Sequence, residues 1–118
     1  MINKNRAGIY IAFPTTDVLK PIYRQLKTQV NCNHTKVGIT VKSFLSRERE
    51  YMGTFDGEVE FIPIAEIPVE QLKMLEQVIL TRICAKYQRV GYAREWFDTN
   101  DREQIVAIIQ EVLANRSE

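Results

Sequence analysis

Two short segments, Gly8-Ile9-Tyr10 and Lys36-Val37-Gly38-Ile39-Thr40, constrain this chain most, because each joins β-branched residues to a glycine and to a side chain with chemistry of its own. Such runs favour strands, and an isolated glycine within one marks a place where another group approaches closely. The first lies in Ala7 to Phe13, which Pro14 and Thr15-Thr16 bring to a stop, and the second fills Thr35 to Thr40. Both read as strands. Glu58 to Ile64, with Val59 and Phe61 set against Glu58 and Glu60, reads as a third, its proline pointing to an edge or terminus.

Between and after these strands the apolar residues recur at helical spacing. Asp17 is placed to cap a helix carrying Val18, Leu19, Ile22, Leu26 and Val30, with Pro21 near its start, so a helical insertion is expected over 17–30. Lys42 to Met52, closed by Gly53, predicts a short helix on which Arg47 and Tyr51 share a face. Val69 to Tyr87 is the strongest helix, its stripe of Leu72, Leu75, Val78, Ile79, Ile83 and Tyr87 broken by Glu76. Asp98-Thr99-Asn100-Asp101 opens a last helix with Ile105, Ile108, Ile109 and Val112 inward, and Arg116-Ser117-Glu118 is expected to fray. Residues 31–34 and 88–94 read as loops, and Trp96-Phe97 as a local aromatic anchor. The expected architecture is a single α/β (α+β) domain over 1–118, a three-stranded antiparallel sheet flanked by helices.

The 118 residues suit one domain able to bury roughly two-thirds of its unfolded surface without a metal or disulfide. A net charge of +1 says little about partners, but its distribution is uneven. Arg24, Lys27, Lys36, Lys42, Arg47 and Arg49 precede an acidic stretch of Glu58, Glu60, Glu66, Glu70 and Glu76, a pattern that can present a basic face to phosphate. Cys32 and Cys84 have no close pairing and read as reduced thiols of a cytoplasmic protein. No apolar run reaches the ~20 residues of a membrane span, and the first residues lack a signal-peptide core. No nucleotide-cradling glycine motif occurs.

Several side chains carry possible chemistry, each with a plainer alternative. Tyr10 can take a proton from water if its phenol is acidified, or can close a sheet face with its hydroxyl satisfied. Lys36 can stabilise a tyrosinate or touch phosphate, or can be an exposed strand lysine. Arg47 offers a planar fork for nonbridging phosphate oxygens, with Arg49 its competitor, and the run can equally be a solvated helix face. Tyr51 can bond the phosphate or pack its ring. Glu76 can anchor Mg²⁺ or Mn²⁺ whose other ligands are waters and phosphate oxygens, or pair with an arginine. Thr40 is expected to cap the following helix. His34, the one histidine, reads as a loop residue.

Gly8-Ile9-Tyr10 and Lys36-Val37-Gly38 resemble the two signatures of the GIY-YIG nuclease superfamily over about residues 7–97, with lysine where the second signature usually has tyrosine. The lysine variant, followed by Arg47 and Tyr51, is similar to that of some restriction endonucleases of the family, and Glu76 resembles its metal-binding glutamate. Lys36-Val37-Gly38-Ile39-Thr40 with Glu95-Trp96-Phe97 also resembles a compact phage and bacterial branch. The late asparagine of the family has no equivalent near Gly91. The resemblance implies a magnesium- or manganese-dependent endonuclease acting on nucleic acid, DNA favoured over RNA. In it Tyr10 activates water, Lys36 tunes it, Glu76 carries the metal, and Lys36, Lys42, Arg47, Arg49 and Tyr51 grip phosphate. A binding module without cleavage and a small adaptor or inhibitor of a partner protein, which could use the 18–30 face and Trp96-Phe97, are the alternatives, with a homodimer also open.

Overall fold

The computed structural model describes residues 2–22 and 25–116. The basic Arg24 and the frayed end expected at Ser117-Glu118 lie outside the described residues, as does the side chain of Leu26. The elements in chain order are β1 (Gly8–Pro14), β2 (Lys20–Ile22), β3 (Gln25–Val30), β4 (Thr35–Thr40), α1 (Phe44–Thr54), β5 (Val59–Glu66), α2 (Val69–Cys84), β6 (Trp96–Phe97) and α3 (Arg102–Asn115). Helices flank a sheet in a mixed α/β fold. The sheet has four strands in the order β5-β1-β4-β6, and β2 and β3 form a separate two-stranded sheet. Three strands were expected. The fourth is β6, whose two residues pair with Thr35 and Lys36 of β4 and are too short to show any periodicity.

The central strand β1 is antiparallel to both β4 and β5. Its alternation splits the protein into two layers. Ile9 and Ile11 join Val37, Ile67 and the buried faces of α2 and α3 on one side, while Tyr10 and Ala12 join Val30, Phe44, Phe55, Phe61 and Trp96 on the other. Complete burial of one such Phe or Ile is worth about 1.5–3 kcal/mol, so both layers are substantial. A register shift against β5 falls between Ile9 and Tyr10, so that Ile9 opposes Ala65 while Tyr10 opposes Pro63. α2 buries Leu72, Leu75, Ile79, Leu80 and Ile83. Val78, expected within that stripe, faces outward, and Leu80 takes an inward place instead.

The helix expected over 17–30 is a β-hairpin. Lys20 pairs with Val30 and Pro21 with Gln29, and Thr28 and Val30 are buried while Lys27 and Gln29 are exposed, a period of two rather than 3.6. Val18 and Leu19 are exposed and contribute nothing to a core stripe. Pro21, with no N–H to give, is tolerated in so short a strand. Lys20 fastens the hairpin by donating to the Phe55 carbonyl at 3.2 Å and to Glu58 at 2.8 Å.

α1 begins at Ser43, whose hydroxyl accepts from the Ser46 amide at 3.1 Å. Thr40 is therefore not the cap. Its hydroxyl donates to the Ser43 carbonyl at 3.1 Å and so steadies the turn before the helix. α3 is capped by Asp101, which accepts from the Gln104 amide. Trp96 and Phe97 are buried at 2% and 0% exposure, which removes them as a partner-binding surface. Cys32 and Cys84 are free, and among the described residues no helix is long and apolar enough to cross a membrane.

Candidate functional site

Tyr10 is held by three neighbours. Its ring stacks on Phe61 with centroids 4.6 Å apart, its hydroxyl lies 2.8 Å from that of Tyr51, and across the ladder it faces Gly38. A β-carbon at position 38 would fall 2.6 Å from the Tyr10 hydroxyl oxygen and 2.7 Å from the ring carbon bearing it. The glycine of the second segment thus makes the slot into which the tyrosine of the first is laid.

Arg47 and Tyr51 sit one turn apart on α1 and line the same cavity of about 160 Å³, together with Lys36, Glu50, Thr54, Phe55, Trp96 and Ile22 of the hairpin. Arg47 donates to Glu50 at 2.9 Å. Arg49, about 200° further round the helix, is exposed and does not line the cavity. Lys42 is also elsewhere. It borders a groove with Arg6, Glu66 and Glu70 at the start of α2, because it lies in the turn that reverses the chain after β4.

Lys36 projects on the Tyr10 side of β4 and places its ammonium on the Glu95 carboxylate. Glu95 in turn faces Glu76 of α2. Burial, and then the charge and hydrogen bonding of Glu95, push the Glu76 carboxyl up to about 7, with Arg94 and Lys36 opposing. Burial also works against the Glu95 carboxylate, but the Lys36 charge and hydrogen bond, helped by Glu76, outweigh it and hold Glu95 below the usual range. One carboxyl of the pair is thus the proton holder and the other the anion.

The phenols behave differently from the sequence expectation. Burial pushes Tyr10 well above the ordinary tyrosine value, against the lowering effects of the Tyr51 hydrogen bond and the Arg47 charge, and Glu95 and Glu50 add to the rise. Tyr51 is likewise raised, first by burial and then by Tyr10. Lys36 places its charge on Glu95 and so orients that carboxylate.

Tyr10, Lys36, Arg47, Tyr51 and Glu76 therefore meet in one connected network, and Lys42 and Arg49 do not. His34 is a loop residue. Its Nδ1 accepts from the Asn31 amide at 3.0 Å and its Nε2 lies 3.6 Å from Asp98. Glu95, which joins the two halves of the network, was not picked out for chemistry by the sequence. The available signal was an acidic residue directly before a pair of core aromatics, a place where a carboxylate is held at the rim of a core. Among the described residues no group of three or more His, Cys, Asp or Glu is placed to hold a metal. Comparison with protein-family models, with curated proteins and with solved structures returns no match.

Proposed function

We propose that the chain is a metal-dependent endonuclease of the GIY-YIG type, hydrolysing phosphodiester bonds with DNA as the favoured substrate. The observation that carries this reading is the convergence of Lys36, Arg47 and Tyr51 on one cavity beside Tyr10, with Glu76 joined to it through Glu95 and Lys36. Two facing carboxyls, one raised to about 7 by burial and its like-charged neighbour, fit a hard divalent cation that relieves that repulsion. Mg²⁺ is commonly held by one or two carboxylates, its other positions filled by water and substrate oxygens, so a larger protein cluster is not needed. Glu76 and Glu95 would hold it, and when bound it supplies Lewis-acid polarisation and charge neutralisation at the phosphoryl group.

The protein's own groups divide the remaining work. Arg47 exchanges Glu50 for two nonbridging phosphate oxygens and stabilises the charge that grows on them. Two phenols with raised affinity for their protons suit a relay better than a standing tyrosinate. Tyr10 accepts a proton from the attacking water as its own passes to Tyr51, and Tyr51 gives its proton to a phosphate oxygen, so neither ring ionises. Lys36 keeps Glu95 in place. Purified protein incubated with supercoiled, linear and single-stranded DNA in Mg²⁺ or Mn²⁺ is expected to cut at least one substrate, and Glu76→Ala to lose that activity. No metal-dependent cleavage, or an equally active Glu76→Ala protein, would overturn the reading. A nucleic-acid-binding module without cleavage is the second reading, favoured by the pairing of both cavity cations with glutamates; it expects salt-sensitive binding that survives Glu76→Ala.

A further inference from the structure

Tyr92 is 98% exposed, the one aromatic among the large apolar side chains that the described residues leave open to solvent. It contributes almost nothing to the core. Yet the turn that carries it is built. The Val90 amide donates to the Trp96 carbonyl at 2.9 Å and the Ala93 amide to the Val90 carbonyl at 3.0 Å, while the Asp98 amide closes the base of the loop on Gln88 at 2.7 Å. Ala93 is buried at 2% exposure and Val90 packs against the Tyr10-side cluster. Gly91 adopts a φ of +54°, and a β-carbon there would come within 3.5 Å of Thr28 of the hairpin. Inward residues on both sides and a left-handed glycine before it fix Tyr92 in the outward position.

Two cations flank it. Arg89 and Arg94 are exposed, and among the described residues neither enters an ion pair. Arg94 directly precedes Glu95, which carries the Lys36 ammonium, so this loop adjoins the site. Three residues of extended chain span at most about 11 Å, the length of about three stacked nucleotides at ~3.4 Å each. A free aromatic face between unpaired arginines is the combination that holds single strands, the ring taking a base and the cations its phosphates.

We propose that Tyr92, with Arg89 and Arg94, is a stacking platform for an unpaired base of a single-stranded DNA segment, lying within a few nucleotides of the phosphate bound at Arg47. The proposal rests on the nucleic-acid reading above, but its test is separable from cleavage. Binding of a fluorescently labelled single-stranded DNA 12-mer and of its duplex is measured by anisotropy at low salt without divalent metal, for wild type, Tyr92→Ala and Tyr92→Trp. Thermal melting serves as the fold control. Tyr92→Ala is expected to weaken single-strand binding about 10-fold or more, with duplex binding and melting nearly unchanged, and Tyr92→Trp to bind as tightly as wild type. Equal single-strand affinity in wild type and Tyr92→Ala, or no single-strand binding by wild type, overturns the platform. DNA cleaved with metal while Tyr92→Ala binds normally sinks the platform and spares the nuclease. Tyr92-dependent binding with no cleavage under any metal supports the platform and sinks the nuclease.

Discussion

Gly38→Ala tests the slot on which the site is built. The new methyl carbon would stand 2.6 Å from the Tyr10 hydroxyl oxygen, 2.7 Å from the adjoining ring carbon and 3.2 Å from Lys36 Cε, where comfortable contact needs about 3.5–4.0 Å. The Lys36 stem can swing aside. The Tyr10 ring cannot, since it is 2% exposed, stacked on Phe61 and bonded to Tyr51, and it has to move by about 1 Å. Overpacking of this kind costs about 1–3 kcal/mol, and loss of the Tyr10–Tyr51 hydrogen bond adds about 1 kcal/mol. The reduced freedom of the unfolded chain returns about 0.4–1 kcal/mol. A net destabilisation of about 2 kcal/mol follows, seen as a lower urea midpoint at unchanged slope and a Tm drop of about 8 °C. The decisive measurement is a double-mutant cycle with Tyr10→Leu, which lacks both clashing atoms. In that background Gly38→Ala should be neutral or slightly stabilising, a coupling of about 2 kcal/mol between the two positions. A neutral Gly38→Ala in wild type, or the same cost in both backgrounds, would refute the steric argument.

The carboxyl pair gives a pH-dependent expectation. A folded Glu76 near 7, against an ordinary 4.5, binds a proton that the unfolded chain has released, so it favours folding below 4.5 and this contribution is lost as pH rises through 7. Glu76→Gln should therefore raise Tm at pH 8 and leave it nearly unchanged at pH 4; equal shifts at both would show that Glu76 titrates normally. Lys36→Met leaves Glu95 without its main counter-charge, and a carboxyl NMR titration should find Glu95 moved upward; an unmoved Glu95 would deny the pair its role. Tyr10→Phe keeps the ring on Phe61 and should cost about 1 kcal/mol of stability through the lost Tyr51 bond. Under the relay it slows single-turnover cleavage about 10²-fold or more, and an undiminished rate in the folded variant removes the relay.

What the sequence made legible follows the strength of local patterns. β1 and β4 were readable because β-branched runs are rare outside strands, and α2 and α3 because their stripes are long. The hairpin reads as a helix because Val18, Leu19, Ile22 and Val30 mimic helical spacing by coincidence. The deciding facts, Val30 packing against the Tyr10-side cluster and Lys20 reaching Phe55 and Glu58, are tertiary and leave no periodic trace. Arg47 was separable from Arg49 by its helical phase with Tyr51. Glu95 was not separable from other surface acids, since its importance comes from Lys36 and Glu76, which lie 59 and 19 positions away and meet it only in the fold.

The two-layer division has a consequence for how the molecule would wear out. Glu76 rides on α2, packed in the Ile9–Ile11 layer, whereas Lys36, Arg47, Tyr10 and Tyr51 belong to the opposite side of the sheet. The network therefore closes only when both layers are seated on the same four strands, and the Glu76–Glu95 junction is its seam. Loosening of α2 against the sheet, far short of unfolding, would part that seam while leaving the Tyr10 slot and the Arg47 cavity whole. Heat or mild denaturant should then part the Glu76–Glu95 pair first, while Tyr10 still stacks on Phe61 and bonds Tyr51.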